Sequence, residues 1–487
     1  MGNHVIISMV QLYHASNYLI TAPYIKEMDL MFNTLVLNVV GLSTKMIGAN
    51  TPNLQRLIAH GKQTSLLTLE PAVTCAIQSS MLTGHTPKEH GIVANGWYFH
   101  DLNEVMFWRQ SNRLVQTEKL WHTAKRQNPQ FTCSNLFWWY NMATEADISV
   151  TPRPIYKADG RKIPDIHSTP SCLRDELTTH LGQFPLFNFW GPMADIRSSN
   201  WIADAGLFVH QQYQPTLSLV YLPHLDYALQ RLGPNHPDIV SEVSKIDSVC
   251  GRLIDAAEQE NRRILLLSEY VVHPVDTPIH INRHLREAGL LKVRNEDGGE
   301  IIDYAASHAF AVSDHQIAHI YIKNNADMPA VQNILSAIKG IDLILNDEGK
   351  QDYNLNHPRS GDLIALSCPN AWFTYYYWLT DENAPDFART VDIHKKPGYD
   401  PVELFLDPNL LSPKLSVAWR LMKKKMGLRT LMDVIPLDAN LVKGSHGRVL
   451  KEGPDPVVIS SESNLLHPKP IHVTEISDLI LAHLFTN

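Results

Sequence analysis

Short, uninterrupted apolar runs recur along the chain, separated by stretches with the mixed spacing of amphipathic helices. The runs lie at Leu35–Val40, Leu217–Leu222, Ile264–Ser268, Ala318–Ile322 and Val457–Ser460. Runs of this length without polar interruption are typical of strands buried on both faces. Helices are predicted among them, as at Ile239–Glu258 and Ile471–Phe485. Strands alternating with helices indicate an α/β fold around a mostly parallel sheet.

Ligands of such folds gather where the parallel strands end. Asp226 follows the second apolar run and Glu269 follows the third. Both carboxylates are therefore expected at the same edge of the predicted sheet.

The segment around Thr74 combines an extended entry with a short helix. Pro71 and Val73 favour an extended chain, residues 75–83 favour a helix, and Gly84 is a natural helix stop. The positive end of a helix favours a bound anion, and a hydroxyl placed there can attack phosphorus. The alternative is that Thr74 only caps the helix, because Thr is a favoured N-cap residue.

The order of motifs decides between these interpretations. The strand ending at Gly41, the helix opening with Thr51-Pro-Asn-Leu, the Pro71-x-Val-Thr74 turn and the His90-Gly-Ile-Val-x-Asn95 segment resemble the alkaline phosphatase superfamily. The branch they resemble is that of the type I phosphodiesterases, also called nucleotide pyrophosphatases. The resemblance implies a three-layer sandwich with an inserted cap, a small phosphorylated substrate, Thr74 as covalent nucleophile and Asn95 as a ligand of the phosphoryl oxygen.

The resemblance also implies two metal ions, usually zinc, held by Asp and His, and here the chain departs from the pattern. Val40 stands where the family has Asp, Gln230 stands where it has His, and Glu269-Tyr270 replaces an Asp-His pair. Asp226 and His446 are retained. We therefore expect one divalent ion, or a weakly bound pair, on Asp226, Glu269 and His446. Further candidate site residues are His224, Gln230, Tyr270 and His273. His224 lies two residues before Asp226, and the alternation of a strand would place both on one face.

These departures leave two functions open. The first is a metal-assisted hydrolase of a phosphate ester, phosphodiester or phosphonate, working through a phosphothreonine intermediate. The second is a catalytically weak or inactive pseudo-phosphodiesterase that acts as a binding or pathway-assembly protein. Thr74 and Asn95 in their motif contexts favour the first.

Other clusters are interpreted as structural. Asp314, His315 and His319 lie in a strand-like context that spreads them over both faces. The aromatic runs at 137–140 and 372–378 are typical of core packing, with stacking on a substrate ring as the alternative. The basic run Lys423–Lys425 is interpreted as a solvated helix face.

Composition narrows the class of protein. The chain has 487 residues, a net charge of -8, 44% hydrophobic residues and 19% charged residues. These values are those of a soluble enzyme without the basic surface of a nucleic-acid-binding protein. The five Cys are scattered, which favours a reducing, cytoplasmic location. The sequence contains no apolar run long enough to span a bilayer.

Domain boundaries are also predicted. Residues 1–30 are expected to be an appendage or a misassigned start, and residues 31–487 one α/β domain. A cap is expected as an insertion at about 275–370. The oligomeric state stays open.

Overall fold

The computed structural model describes residues 31–410, 412–428 and 430–487. The predicted appendage at 1–30 lies outside the described residues. The strands are β1 Thr34–Val39, β2 Lys62–Leu67, β3 Gly96–Phe99, β4 Glu104–Phe107, β5 Cys133–Leu136, β6 Ile148–Pro152, β7 Ile155–Tyr156, β8 Lys162–Ile163, β9 Ile166–Thr169, β10 Leu217–Leu222, β11 Arg263–Leu267, β12 His273–Pro274, β13 Thr277–Ile279, β14 Val293–Glu296, β15 Gly299–Ile302, β16 Ala309–Asp314, β17 Ile317–Ile322, β18 Ile341–Leu345, β19 Leu363–Ser367, β20 Ala371–Phe373, β21 Gly444–Ser445, β22 Val457–Ser460 and β23 Ile471–His472.

The helices follow the same chain order. They are α1 Pro52–His60, α2 Thr74–Thr83, α3 Pro87–His90, α4 Leu120–Gln127, α5 Cys172–Leu181, α6 Leu186–Phe189, α7 Ile196–Tyr213, α8 His224–Leu232, α9 Ile239–Gln259, α10 Ile281–Glu287, α11 Met328–Ala337, α12 Asp347–Asp352, α13 Pro413–Lys425 and α14 Ile476–Phe485.

A nine-stranded sheet forms the centre of the molecule, in the order β23-β2-β22-β11-β1-β10-β5-β6-β9. Strands β11, β1, β10, β5 and β6 run parallel, and every residue of β1, β10 and β11 is buried. Burial on both faces explains why these strands are apolar throughout. The predicted α/β class and mostly parallel sheet are confirmed.

Helices cover both faces of this sheet and give three layers. Helices α1, α7 and α9 pack together on one face, and α2, α4 and α14 pack on the other. The carboxyl ends of β1, β10 and β11 lie side by side, because the strands pair in parallel register. The segments that follow these three strands are thereby brought to one edge.

Two of the predicted strands are not parallel strands of the central sheet. The run at 457–460 forms β22, but β22 pairs antiparallel to both β11 and β2. The run at 318–322 belongs to β17, in a separate four-stranded antiparallel sheet of order β16-β17-β19-β18. An apolar run reports burial and not strand direction, so the pattern alone could not separate these cases.

The second sheet has a hydrophobic core of its own, formed largely by residues between 275 and 442. Strand β4 joins it from the first part of the chain through Val105 and Phe107. The fold is therefore a three-layer α/β sandwich with a second, smaller antiparallel sheet. The boundaries at about 275 and 370 stay a prediction. Within the residues described, no helix combines the length and apolar character needed to cross a bilayer.

Candidate functional site

Thr74 is the first residue of α2, and its side chain does not cap the helix. Val73 is the N-cap residue and is extended, and Gly84 ends the helix in the left-handed region. The Thr74 hydroxyl instead lies 2.9 Å from the hydroxyl of Tyr270. The capping interpretation therefore does not account for Thr74, whose oxygen faces the edge where β11 ends.

Asn95 is fixed against the same helix end. Its Oδ1 accepts a hydrogen bond from the backbone N–H of Cys75 at 2.9 Å. Its Nδ2 donates to Asp314 Oδ1 at 3.1 Å, and its backbone N–H donates to Asp314 Oδ2 at 2.8 Å. Asp314 thus sets the orientation of Asn95, and Nδ2 keeps a second hydrogen for another acceptor.

Asp226 lies in the first turn of α8 and connects Tyr270 to Gln230. The Tyr270 hydroxyl donates to Asp226 Oδ1 at 3.5 Å, and Gln230 Nε2 donates to Asp226 Oδ2 at 2.8 Å. Gln230 Oε1 accepts in turn from the Tyr399 hydroxyl at 2.8 Å. Asp226 and Gln230 meet because residues four apart lie on one side of a helix.

His446 stands in a column of stacked rings behind Thr74. Its ring centroid lies 3.7 Å from that of Tyr270 and 3.6 Å from that of His315, which stacks at 3.7 Å on Tyr399. His446 Nδ1 lies 2.7 Å from the carbonyl oxygen of Ala72, which accepts its hydrogen. His446 Nε2 then carries the lone pair and lies 3.6 Å from Asp226 Oδ1.

Glu269 is fully buried directly after β11 and is held by two side-chain amides. Asn38 Nδ2 and Gln78 Nε2 both donate to Glu269 Oε1, at 2.5 Å and 2.6 Å. Glu269 Oε2 makes no hydrogen bond to the described residues.

Burial is the largest influence on the pKa values of these groups. It raises the pKa of Asp226 from 3.8 to about 7 and the pKa of Glu269 from 4.5 to about 8. It also raises the pKa of Asp314 to about 7 and lowers that of His446 to about 3. At neutral pH the site thus holds a neutral imidazole and carboxyl groups that exchange protons readily.

Five of the residues singled out from the sequence meet at this edge: Thr74, Asn95, Asp226, Glu269 and His446. Gln230 and Tyr270 join them through the contacts given above. His273 lies in the antiparallel β12–β21 ribbon, where it pairs opposite Ser445, the residue before His446. Burial lowers the pKa of His273 to about 4.

His224 does not join them, and the expectation that it shares a face with Asp226 is wrong. That expectation assumed the alternation of a strand, but α8 is already helical at His224. Two residues along a helix point to nearly opposite sides. His224 Nε2 contacts Glu242 Oε2 of α9 at 2.7 Å instead.

The sequence interpretation missed four site residues: Gln78 and Tyr399 were not singled out, and Asp314 and His315 were interpreted as structural. Gln78 follows Thr74 by one helical turn, a spacing that could have identified it. Asp314 ends β16, and His315 follows it with a φ of 59°, which turns its ring toward the site. His319 is structural as predicted, since its ring nitrogens contact only backbone groups, of Val93 and Gly361.

The aromatic runs at 137–140 and 372–378 lie in different parts of the molecule. The residues from Trp372 to Trp378 lie in the second core, where the large rings are buried, so a role in stacking on substrate is wrong for that run. Trp139 is half-buried, and its backbone N–H donates to Gln78 Oε1 at 2.7 Å. Trp108 packs on Trp139 with ring centroids 4.7 Å apart, and both rings flank the site.

The residues present do not fit the two-metal centre that the resemblance implies. Val40 has no ligand atom, and its side chain is fully buried. Amide N–H groups of Asn38, Gln78 and Gln230 point at the carboxylate oxygens that a cation would need. Among the described residues, no group of three or more His, Cys, Asp or Glu side chains is arranged to hold a metal ion. Side-chain amides donate hydrogen bonds to the carboxylate oxygens of Asp226 and Glu269, which in a zinc site would bind the cation instead.

Solved structures share this fold at low sequence identity. Phosphonoacetate hydrolase from Sinorhizobium meliloti, in complex with phosphonoacetate, is 14% identical, with a TM-score of 0.60 over 93% of this chain and 96% of that chain. Murine ectonucleotide pyrophosphatase / phosphodiesterase 5 is 13% identical, with a TM-score of 0.55 over 93% of this chain and 94% of that chain. The murine protein is also known as an inactive threonine-to-alanine variant with AMP bound.

No curated protein matches the chain in sequence. The sequence profile of the type I phosphodiesterase / nucleotide pyrophosphatase family does match, over residues 34–400. That span includes Thr74, Asn95, Asp226 and Glu269 and most of the central sheet. The chain therefore belongs to the type I phosphodiesterase / nucleotide pyrophosphatase family and is a hydrolase of the phosphodiesterase type.

Proposed function

We propose that this chain hydrolyses a phosphate ester, phosphodiester or phosphonate bond of a small molecule through a covalent phosphothreonine at Thr74. Family membership supports the reaction class. The observation that carries the assignment to Thr74 is its hydroxyl, which lies at the start of α2, 2.9 Å from the Tyr270 hydroxyl. A nucleophile is activated by a neighbouring group that accepts its proton, and Thr74 has such a neighbour.

The start of α2 is the binding site for the phosphoryl group. The positive end of the helix favours anionic oxygens, and the Asn95 amide keeps one free hydrogen beside it. Because Asp314 holds Asn95 at two atoms, this donor is oriented before substrate arrives.

Thr74, Tyr270 and Asp226 form a path for the proton. For an ester, Thr74 Oγ1 forms a bond to phosphorus as the bond to the leaving oxygen breaks. The Thr74 proton passes to the Tyr270 oxygen, and the Tyr270 proton passes to Asp226. The leaving oxyanion takes a proton from solvent. Water then attacks phosphorus as the bond to Thr74 Oγ1 breaks, the Thr74 oxygen regains its proton from Asp226 through Tyr270, and the second proton of the water returns to solvent. With a pKa of about 7, Asp226 accepts the proton best when the pH exceeds neutrality.

Family members are metal-dependent hydrolases, but the described side chains at this site do not fit a metal ion, so the proposed steps use only the chain's own groups. The same observation favours a second candidate, a protein that binds its phosphorylated ligand with little or no turnover. The side-chain amides of Asn38 and Gln78 both donate to Glu269 Oε1. These hydrogen bonds take up a carboxylate oxygen that a catalytic metal ion would need as a ligand.

The half-buried rings of Trp108 and Trp139 supply the wall beside the leaving group. Trp139 is tied to Gln78, one turn after Thr74 on α2. A flat leaving group, such as an aryl or nucleobase-containing alcohol, gains stacking energy on this pair. We therefore infer a preference for such esters over alkyl esters.

The test is a panel of aryl phosphates, phosphodiesters and phosphonate esters, assayed without metal and with zinc, manganese or magnesium. Thr74→Ala should abolish hydrolysis, because the motif offers no other nucleophile. Thr83→Ala, at the opposite end of the same helix, should leave it unchanged. Acid quenching during turnover should give a phosphoryl mass increase on the peptide with Thr74. Phosphate binding without turnover under every condition would select the second candidate.

A further inference from the structure

Helix α13 presents an apolar stripe to solvent. Leu415, Trp419, Met422 and Met426 recur at intervals of four, three and four residues, which places them on one side of a helix. Met426 continues the helical pattern, since its N–H donates to Met422 O at 3.0 Å. Their exposed fractions are 69%, 51%, 45% and 59%.

The stripe is part of a concentrated patch and not a scatter of single residues. Leu421, Leu428 and Leu431 are also exposed, so this short segment holds seven of the sixteen exposed large apolar residues among those described. The helix is held by its other side, where Val417 packs on the second core and Arg420 Nε donates to Asp433 Oδ1 at 2.6 Å. An exposed patch of this kind marks a binding surface.

The basic charge of residues 412–432 indicates which kind of partner would bind this exposed patch. Residues 412–432 contain six basic residues and no Asp or Glu, although the whole chain carries a net charge of -8. Lys423 and Lys425 lie on either side of the apolar stripe. Lys423 Nζ lies 5.3 Å from the ring centroid of Trp419. An apolar stripe with tryptophan, flanked by lysines, is the composition of a helix that lies in a membrane interface.

We propose that α13 attaches this hydrolase to the surface of an anionic lipid bilayer, with the stripe inserted among the headgroups. Two copies joined through this face would bring like charges together, which opposes a symmetric dimer. Nucleic acid would satisfy the lysines but leave the apolar stripe in contact with phosphates. In a bilayer, anionic headgroups would pair with the lysines and acyl chains would cover the apolar stripe.

Co-sedimentation of the full-length protein with vesicles tests the proposal. We expect binding to phosphatidylcholine vesicles that contain phosphatidylglycerol and much weaker binding to phosphatidylcholine alone. Lys423→Glu with Lys425→Glu should weaken partition by at least roughly 25-fold, since each lysine near an anionic surface contributes roughly fivefold. Leu415→Ala with Trp419→Ala should also release the protein, with an unchanged thermal midpoint because these side chains are exposed.

The control is Lys157→Glu with Lys339→Glu, two exposed lysines on other elements, which alters the net charge equally. Retained binding by this control supports a local surface. Equal loss in the control would overturn the proposal, and so would equal partition into neutral vesicles or none into either kind. A concentration-dependent dimer that the Leu415 and Trp419 substitutions dissociate would instead assign the face to a second copy.

Discussion

The hydroxyls of Thr74 and Tyr270 lie 2.9 Å apart, and both side chains are buried. In the family pattern a metal-binding histidine would occupy the place of Tyr270. The side chain that replaces it contacts the candidate nucleophile directly and extends the path to Asp226. A hydrogen-bonded relay therefore lies where the family pattern has a metal ligand.

Tyr270→Phe should lower kcat/KM by about 10²-fold or more, the scale of removing a group that carries a proton in the transition state. Phenylalanine keeps the stacking on His446 but interrupts the path from Thr74 to Asp226. The rise of kcat/KM through about pH 7, which reports Asp226, should also flatten. Steady-state kinetics from pH 5 to pH 9 measure both effects.

Tyr376→Phe is the matched control, because that hydroxyl is buried in the second core and makes no hydrogen bond to the described residues. It should leave the profile unchanged. Full activity in Tyr270→Phe would exclude the relay, even if Thr74 proved to be the nucleophile.

The purified protein should hold less than one tightly bound zinc ion per chain by elemental analysis, because amide donors face its carboxylates. Restoring the family ligands with Val40→Asp, Gln230→His and Tyr270→His together should create zinc binding, seen as a rise in thermal midpoint on adding zinc. One or two tightly held zinc ions per chain in the unaltered protein would contradict the interpretation of this network.

The sequence was informative where function depends on short segments. The strand at 217–222 and the end of the helix before Gly84 were predicted to the residue, because burial and a left-handed stop leave clear local patterns. Thr74 and Asn95 were singled out through motif order, and the structure places both at the start of α2. His224 was misplaced because a turn between strand and helix changes which residues share a face.

The remainder of the site could not be predicted from local pattern. Asp314 and Tyr399 reach Asn95 and Gln230 from elements that follow them by more than 150 positions in the chain. Such contacts depend on how the second sheet docks onto the first, which leaves no periodic signal near either residue. Asp314 was accordingly interpreted as structural, although it orients a site residue.

Lys396→Met should destabilise the protein by about 3–5 kcal/mol, the usual cost of removing one partner from a buried ion pair. Lys396 is buried, with its Nζ 2.6 Å from Asp400 and 2.8 Å from Glu403. The change leaves two carboxylates without a counterion in the loop that carries Tyr399. Urea unfolding measures the loss. Lys395→Met, at the exposed neighbouring position, should change stability by less than about 0.5 kcal/mol; an equal loss there would show that the loop is merely intolerant of substitution.

Glu269→Gln should remove much of the pH dependence of stability above neutrality. Burial raises the pKa of Glu269 from 4.5 to about 8 in the folded protein. Because the folded-state value is the higher one, the stabilisation is complete below about pH 4.5 and is lost as the pH rises through about 8. Glutamine keeps an oxygen for the amides of Asn38 and Gln78 but has no charge to bury. In metal-free buffer, the unaltered protein should lose a few kcal/mol of unfolding free energy between pH 5 and pH 9, and the variant distinctly less. Parallel curves for the two proteins would mean that Glu269 is ionised throughout that range, and that a cation or a structural change compensates its charge.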